Sequence, residues 1–155
     1  MKGRERVGAA LREAGLDIDL VRLSKTARTA QLAADALNTS LGSIVKSLVF
    51  LADGDPVLVL VAGDRRASVP KLKRLLKARR VMIADADRVR LETGFSIGGV
   101  PPVGHAQPLP VWVDASLSRF ETVHAAAGHH QVVFPIPYQA LVEITNGQVA
   151  DVTES

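Results

Sequence analysis

Apolar residues recur at the 3.6-residue spacing of an amphipathic helix in several parts of the chain. This spacing predicts helices over residues 7–16, 26–38, 70–80, 85–93 and 137–147. Thr29 is placed to cap the second helix and Asn38 lies near its end, while Pro70 opens the third.

Shorter apolar runs predict strands over residues 18–23, 81–83, 110–117, 121–128, 131–136 and 148–152. The strongest hairpin signal lies within residues 44–64, where two apolar runs flank Asp53-Gly54-Asp55-Pro56. Strands and helices are interspersed without a regular β-α-β rhythm, and several strands are neighbours in sequence. We therefore predict an α/β fold of the α+β type: a mixed, largely antiparallel, barrel-like sheet with helices packed outside, in a single domain over residues 1–155.

Composition limits the possible environments of the chain. Its 155 residues, 47% of them hydrophobic, suit one domain with a sizeable core. No run approaches the ~20 apolar residues of a membrane span, the first residues lack the apolar segment of a secretory signal, and Cys is absent. We expect a soluble cytoplasmic protein without a membrane partner, disulfides or thiolate chemistry.

Basic residues are concentrated on the third predicted helix. The net charge is only +3, yet the pI is about 9.6. The cluster comprises Lys71, Lys73, Arg74, Lys77, Arg79 and Arg80. Two interpretations remain open, since such a run is either a solvated helix face or a surface for a nucleic-acid backbone.

Lys46 is the only charged residue between Leu41 and Ala52. Burying an ammonium without a partner is costly, so this side chain either reaches water or serves a ligand, for which a phosphate is a natural choice. Strand alternation places it among hydrophobic residues on either face. One face carries Ile44, Leu48 and Phe50, and the other carries Val45, Ser47, Val49 and Leu51.

The sequence contains little that supports a metal site or a covalent catalytic mechanism. His124, His129 and His130 are close in sequence, but consecutive residues of a strand point to opposite faces, and no metal-binding spacing is present. We therefore predict no metal site. No Gly-x-Ser-x-Gly motif or Ser-His-acid pairing indicates a nucleophile.

Two further segments each allow two interpretations. Asp114 is either a site carboxylate or a turn residue. Residues 125–130 form either a segment where a substrate approaches the backbone or a tight hairpin connection.

Residues 94–105, "GFSIGGVPPVGH", combine four glycines with two adjacent prolines. Glycine permits unusual backbone angles and close approach to the main chain, whereas Pro-Pro stiffens the segment. We predict a rigid loop that recognises its ligand through peptide groups.

These segments, taken in order, resemble the YbaK and prolyl-tRNA-synthetase-associated editing-domain family. The similarity includes "SIVKSLVFL", "GFSIGGVPPVGH", "AAAGHH" and "FPIPYQALVEITNGQVADV", and it runs from about residue 26 to the C-terminus. The family's strand lysine matches Lys46, and its GxxxP loop matches residues 98–102. The resemblance implies a mixed α/β fold with a barrel-like sheet.

The resemblance also implies a function: a trans-editing aminoacyl-tRNA deacylase that acts on mischarged tRNA, most often tRNA(Pro) carrying Ala or a similar small amino acid. Catalysis is expected to be substrate-assisted and to need no cofactor. In the Cys-tRNA(Pro) branch a Ser and an Asp usually stand where Ala126 and Val133 align, so this chain departs from the residue pattern of the cysteine-specific branch. The implied partners are the acceptor end of a mischarged tRNA and prolyl-tRNA synthetase.

The resemblance and the residue patterns together define three groups of candidate residues. The predicted catalytic group is Lys46, Gly98, Gly99, Val100 and Pro102. The predicted substrate-binding group is Arg28, Thr29, Pro101, Ala127, Gly128 and His129. The predicted tRNA contacts are Lys71, Lys73, Arg74 and Lys77.

Two other functions are compatible with the same residues. A non-catalytic tRNA-binding module would show salt-sensitive binding without ester cleavage. A phosphate- or nucleotide-binding domain would be stabilised by nucleotides. The low aromatic content, 4%, argues against a single-strand reader that stacks bases.

Overall fold

The computed structural model describes residues 3–24, 27 and 29–154. The helices are α1 Gly3–Glu13, α2 Ala30–Ala36, α3 Val69–Leu76, α4 Ala86–Thr93 and α5 Tyr138–Thr145. The strands are β1 Val21–Arg22, β2 Val45–Ala52, β3 Asp55–Ala62, β4 Val81–Ile83, β5 Val111–Asp114, β6 Thr122–His129, β7 Val132–Pro137 and β8 Gln148–Ala150. The elements follow the predicted order, and the mixed α/β class is confirmed.

The strands form two sheets. One has the order β4-β2-β3-β5-β8, with β5 parallel to both of its neighbours and the other pairs antiparallel, and the second has the antiparallel order β1-β7-β6. The prediction of a barrel-like sheet was wrong. The described strands form two separate sheets, with β4 and β8 at the edges of the larger one, and an isolated bridge between Ile44 and His124 links the two sheets without closing them into a barrel.

The β2–β3 hairpin is confirmed at its turn. Asp53 and Gly54 have positive φ angles of 49° and 90°, which match the right-handed twist of the flanking strands. The Asp53 carboxylate accepts hydrogen bonds from the N–H groups of Arg79 and Arg80, which lowers the pKa of this exposed carboxyl. The hairpin turn is thereby tied to the start of β4.

Alternation along β3 divides the core into two layers. Leu58 and Leu60 pack toward the three-stranded sheet, where Phe134 is fully buried. Val59 and Val61 point the other way and pack against α3. The basic helix therefore covers the face of the larger sheet that is remote from the smaller sheet.

Helix α2 is shorter than predicted. It begins at Ala30, because Thr29 has an extended backbone and its Oγ1 accepts the Leu32 N–H as an N-cap, and it ends at Ala36. The predicted cap is thus confirmed. Across the described part of the chain, no helix is both long and apolar enough to cross a membrane.

Candidate active site

A cavity of about 430 Å³ lies along one edge of β2. It forms there because β4 pairs only with Phe50–Ala52, so residues 45–49 border open space instead of a continuous neighbouring strand. Helix α2, strand β6 and the glycine loop at residues 94–105 supply other parts of the wall. Lining residues include Ala27, Thr29, Ala33, Ile44, Lys46, Ser47, Ile83, Val89, Ile97, Gly98, Val100, His124, Ala126, His130 and Val133.

Lys46 is half-buried in this cavity, and its Nζ donates a hydrogen bond to the main-chain carbonyl of Arg65. Burial lowers the pKa of the amine and neighbouring Arg66 lowers it further, while Asp64 and Asp114 oppose the shift. The described lining residues include no carboxylate. Lys46 is therefore a half-buried cation that is held by a main-chain carbonyl in a mostly apolar wall.

The segment after β3 that receives the Lys46 amine is fixed from two sides. Arg119 makes a two-bond ion pair with Asp64, at 2.9 and 2.8 Å, and this hydrogen bonding lowers the pKa of the Asp64 carboxyl. Asp114, only 1% exposed, accepts the Ala62 N–H at 2.9 Å. Asp114 also accepts from the N–H and hydroxyl of Ser116, so its role as a turn residue is confirmed.

The glycine loop contributes two of its predicted residues to the wall, Gly98 and Val100. Gly98 has a φ of 89°, which only glycine adopts without strain. Gly99 faces elsewhere: its N–H donates to the Ser96 carbonyl, and a Cβ there would lie 3.0 Å from the His129 main chain. Gly98 and Val100 thus remain the candidate N–H donors of the loop.

The loop is held by contacts that the sequence pattern did not reveal. His105 Nε2 donates to the Pro101 carbonyl at 2.6 Å, and burial lowers the pKa of this imidazole. Arg6 of α1 lies 4.5 Å from the Phe95 ring centroid and donates to the Gly94 carbonyl. Pro101 and Pro102 are buried and do not line the cavity. These prolines act as loop supports.

The three small residues near the end of β6 take different positions. Ala127 is fully buried in the core on the face of β6 away from the cavity. Gly128 packs against the start of α1, where a Cβ would lie 2.8 Å from the Gly3 carbonyl carbon. Ala126 does line the cavity, next to its cross-strand partner Val133. Predicted Thr29 also lines it, whereas Arg28 falls outside the described residues.

The expectation that His129 and His130 point to opposite faces was wrong. The register of β6 shifts between Ala126 and His129, and at the following turn the two rings stack with centroids 4.4 Å apart. His129 Nδ1 accepts the Gln131 N–H, and only His130 lines the cavity. Within the described ranges, no group of three or more His, Cys, Asp or Glu side chains is arranged to hold a metal.

Ser47 and His124 add polar atoms to the cavity that the sequence interpretation did not select as functional. Ser47 Oγ and His124 Nδ1 are buried and have no hydrogen-bond partner among the described residues. Burial lowers the pKa of His124, which favours the neutral form of its imidazole. No periodicity in the sequence distinguishes these two side chains from ordinary strand residues.

The basic residues of α3 do not line the cavity. Lys71 is engaged elsewhere, since its Nζ donates to Asp151 Oδ2 at 2.7 Å and to the Thr153 carbonyl at 2.6 Å. The remaining three predicted tRNA contacts, Lys73, Arg74 and Lys77, are exposed.

The fold is of the mixed α/β class, and Lys46 and the glycine loop line one cavity in it. Residues 24–144 match the family described as the aminoacyl-tRNA editing domain, and the chain belongs to that family. The resemblance seen in the sequence is thereby confirmed, and so is the enzyme class, an aminoacyl-tRNA deacylase.

Individual relatives agree with this membership. A crystal structure of a proposed trans-editing enzyme for prolyl-tRNA synthetase superimposes with a TM-score of 0.95 at 39% identity, covering 100% of this chain and 99% of the other. The uncharacterized protein YwhH of Bacillus subtilis is 33% identical over 84% of this chain and 83% of its own length. Proline–tRNA ligase of Desulfovibrio desulfuricans is 44% identical over 52% of this chain, which corresponds to 14% of the ligase.

Proposed function

We propose that the protein hydrolyses the ester of mischarged tRNA in trans, with tRNA(Pro) carrying Ala or a similar small amino acid as its substrate. One observation carries the proposal: Lys46, Gly98 and Val100 line a single cavity in a member of the editing-domain family. The similarity to a proposed trans-editing enzyme for prolyl-tRNA synthetase supports the choice of tRNA and makes that synthetase the expected partner.

The wall formed by Ala126 and Val133 supports a small apolar amino acid. These residues are directly paired across β6 and β7, and both line the cavity. Neither side chain can donate or accept a hydrogen bond, so this part of the wall cannot form one with a polar side chain of the substrate. A methyl group, as in alanine, suits such a surface.

The proposed chemistry follows from the substrate. An aminoacyl ester is already activated, and the vicinal ribose hydroxyl or a held water can attack it once the ester is oriented. Lys46 would bind the terminal phosphate or ribose as a point charge. N–H groups of Gly98 and Val100 would stabilise the oxyanion, and loop carbonyls would accept from the substrate ammonium. This mechanism needs neither a protein nucleophile nor a metal.

A deacylation assay tests the proposal. We expect the wild type to hydrolyse Ala-tRNA(Pro) faster than other mischarged tRNAs, and Lys46→Ala to lose ~10²-fold in rate, the order that one preorganised electrostatic contact supplies. Arg12→Ala, an exposed change on α1, serves as the control with full activity. Unchanged turnover in Lys46→Ala would remove Lys46 from the mechanism.

The same preparations test the alternatives. Salt-sensitive tRNA binding without ester cleavage would identify a non-catalytic module. A rise in Tm with nucleotides, together with indifference to aminoacyl-tRNA, would identify a nucleotide-binding domain.

A further inference from the structure

Two buried polar atoms without partners share the cavity. Ser47 Oγ and His124 Nδ1 are both buried, line the same space and find no hydrogen-bond partner in the described chain. Buried polar groups are almost always hydrogen-bonded, because leaving one unsatisfied costs folding free energy. The third such atom, Arg6 Nε, belongs to a residue that does not line the cavity. Two unsatisfied atoms in one cavity indicate a polar group of a ligand.

The two side chains come from strands that meet at the cavity. Ser47 lies on β2 directly after Lys46, and His124 lies on β6. The bridge between Ile44 and His124 brings the beginning of β2 alongside β6. Lys46 and Ser47 point to opposite faces of β2, but Ser47 and His124 both line the cavity, so a ligand that fills it borders both residues.

The chemistry of the two atoms selects a hydroxyl group. A serine hydroxyl can donate and accept, and a neutral imidazole nitrogen without hydrogen accepts. One hydroxyl group can accept from Ser47 and donate to His124, which satisfies both. A positively charged ligand group is disfavoured here, because Lys46 already supplies positive charge and the described lining contains no carboxylate.

We infer that Ser47 and His124 hold the hydroxyl that attacks the ester, with His124 as the catalytic group that accepts its proton. This inference rests on the proposed function. The hydroxyl oxygen forms a bond to the ester carbonyl carbon while its proton passes to His124 Nδ1. The bond between the carbonyl carbon and the ribose oxygen then breaks, and the imidazolium returns the proton to that departing oxygen. When this hydroxyl belongs to a water, these steps release the amino acid and the tRNA. When it is the vicinal ribose hydroxyl, they move the acyl group to that oxygen, and a water then attacks the new ester in the same way to complete hydrolysis.

Ser47→Ala and His124→Phe should lower the rate of deacylation without lowering stability. We expect deacylation of Ala-tRNA(Pro) to fall about fivefold in Ser47→Ala, the value of one hydrogen bond. His124→Phe should lose at least ~10²-fold, the usual contribution of a general base. Both variants should keep or raise the wild-type Tm, because each removes an unsatisfied buried atom.

Ser43→Ala is the matched control. Its Oγ is hydrogen-bonded to the Ser40 carbonyl and to Thr39, and it lies outside the cavity. Removing it should lower Tm by about 2–4 °C and leave deacylation unchanged. Full activity in both Ser47→Ala and His124→Phe would overturn the inference. An inactive wild type would instead overturn the proposed function.

His124→Gln distinguishes a proton acceptor from a binding group, and it remains informative if the Phe variant does not fold. The amide can accept a hydrogen bond but not a proton, so kcat should fall while KM changes little. The wild-type rate should decline at acid pH as His124 becomes protonated, and this decline should disappear in His124→Gln. Lys46 and His130 are the other titratable groups among the described lining residues, and His130→Gln should retain the decline. A retained kcat in His124→Gln would exclude proton acceptance.

A substrate that ends in 2′-deoxyadenosine identifies the source of the hydroxyl. If the ribose hydroxyl occupies the subsite, this substrate reacts slowly and Ser47→Ala has no further effect. If water occupies it, the wild type still cleaves the deoxy substrate and Ser47→Ala still slows the reaction. Cleavage of the deoxy substrate at the rate of the ribose substrate, with no effect of Ser47→Ala, would contradict the inference.

Discussion

At the scale of single residues, the Lys46 amine depends on a contact with a residue that is remote in sequence. A lone charge within an apolar strand is visible in a pattern of residue types, whereas its acceptor, the Arg65 carbonyl, is a main-chain atom that only the fold brings near. Ser47 and His124 could not be singled out for a related reason. Being buried without a partner is a property of three-dimensional packing, and many strand serines and histidines are satisfied.

Gly98 provides a prediction at this scale. Gly98 and Gly54 have nearly equal φ angles, 89° and 90°, and a Cβ would be uncrowded at either, with nothing closer than 3.7 Å. Each change to Ala should therefore cost ~1 kcal/mol from backbone strain alone. Only Gly98→Ala should also slow deacylation, because Gly98 lines the cavity and Gly54 does not. Urea unfolding and single-turnover assays measure the two effects, and equal activity in both variants would exclude Gly98 from the site.

At the scale of elements, local patterns predicted most helices and strands, and their contacts explain the differences. The Asp53-Gly54 turn requires positive φ at two positions, so its chemistry alone indicated a hairpin. The glycine loop was predicted as a rigid main-chain recognition element. Its division into wall residues and supports was not predictable, because Gly99 is fixed by the distant His129 main chain.

Arg119 tests whether the segment after β3 positions Lys46. Arg119 holds Asp64, the residue before the carbonyl that accepts the Lys46 amine. We expect Arg119→Met to lower kcat about tenfold, since small misplacements of a catalytic group are costly. In the Lys46→Ala background the same change should have no effect.

Arg88→Met is the control for this prediction, because Arg88 also makes an ion pair, with Glu92, but lies outside the cavity. It should leave kcat unchanged. A loss on Arg119→Met that persists in the absence of Lys46 would show that Arg119 acts by another route.

At the scale of the whole molecule, the sequence predicted the class and the predominance of antiparallel strands but not how the sheets meet. Closure into a barrel depends on whether edge strands find continuous partners. Here β4 pairs with only three residues of β2, so the remaining edge borders the cavity. The length of β4 was predicted from the sequence, but its pairing with the C-terminal end of β2 depends on the path of the chain after α3, which no local pattern encodes. The short pairing between β4 and β2 thus leaves the barrel open and also forms the edge along which the candidate site lies.

The position of α3 on the outer face of the larger sheet gives the last prediction. If its exposed Lys73, Arg74 and Lys77 contact tRNA phosphates, changing all three to Ala should raise KM and leave kcat unchanged, because they do not line the cavity. Each lost phosphate contact should also reduce the slope of log affinity against log salt by ~0.9. Lys71→Ala is the contrast, since this side chain is engaged with Asp151 and Thr153 and should affect stability more than the salt slope. An unchanged slope in the triple variant would show that α3 is simply a solvated face, and that tRNA is bound by another surface of the molecule.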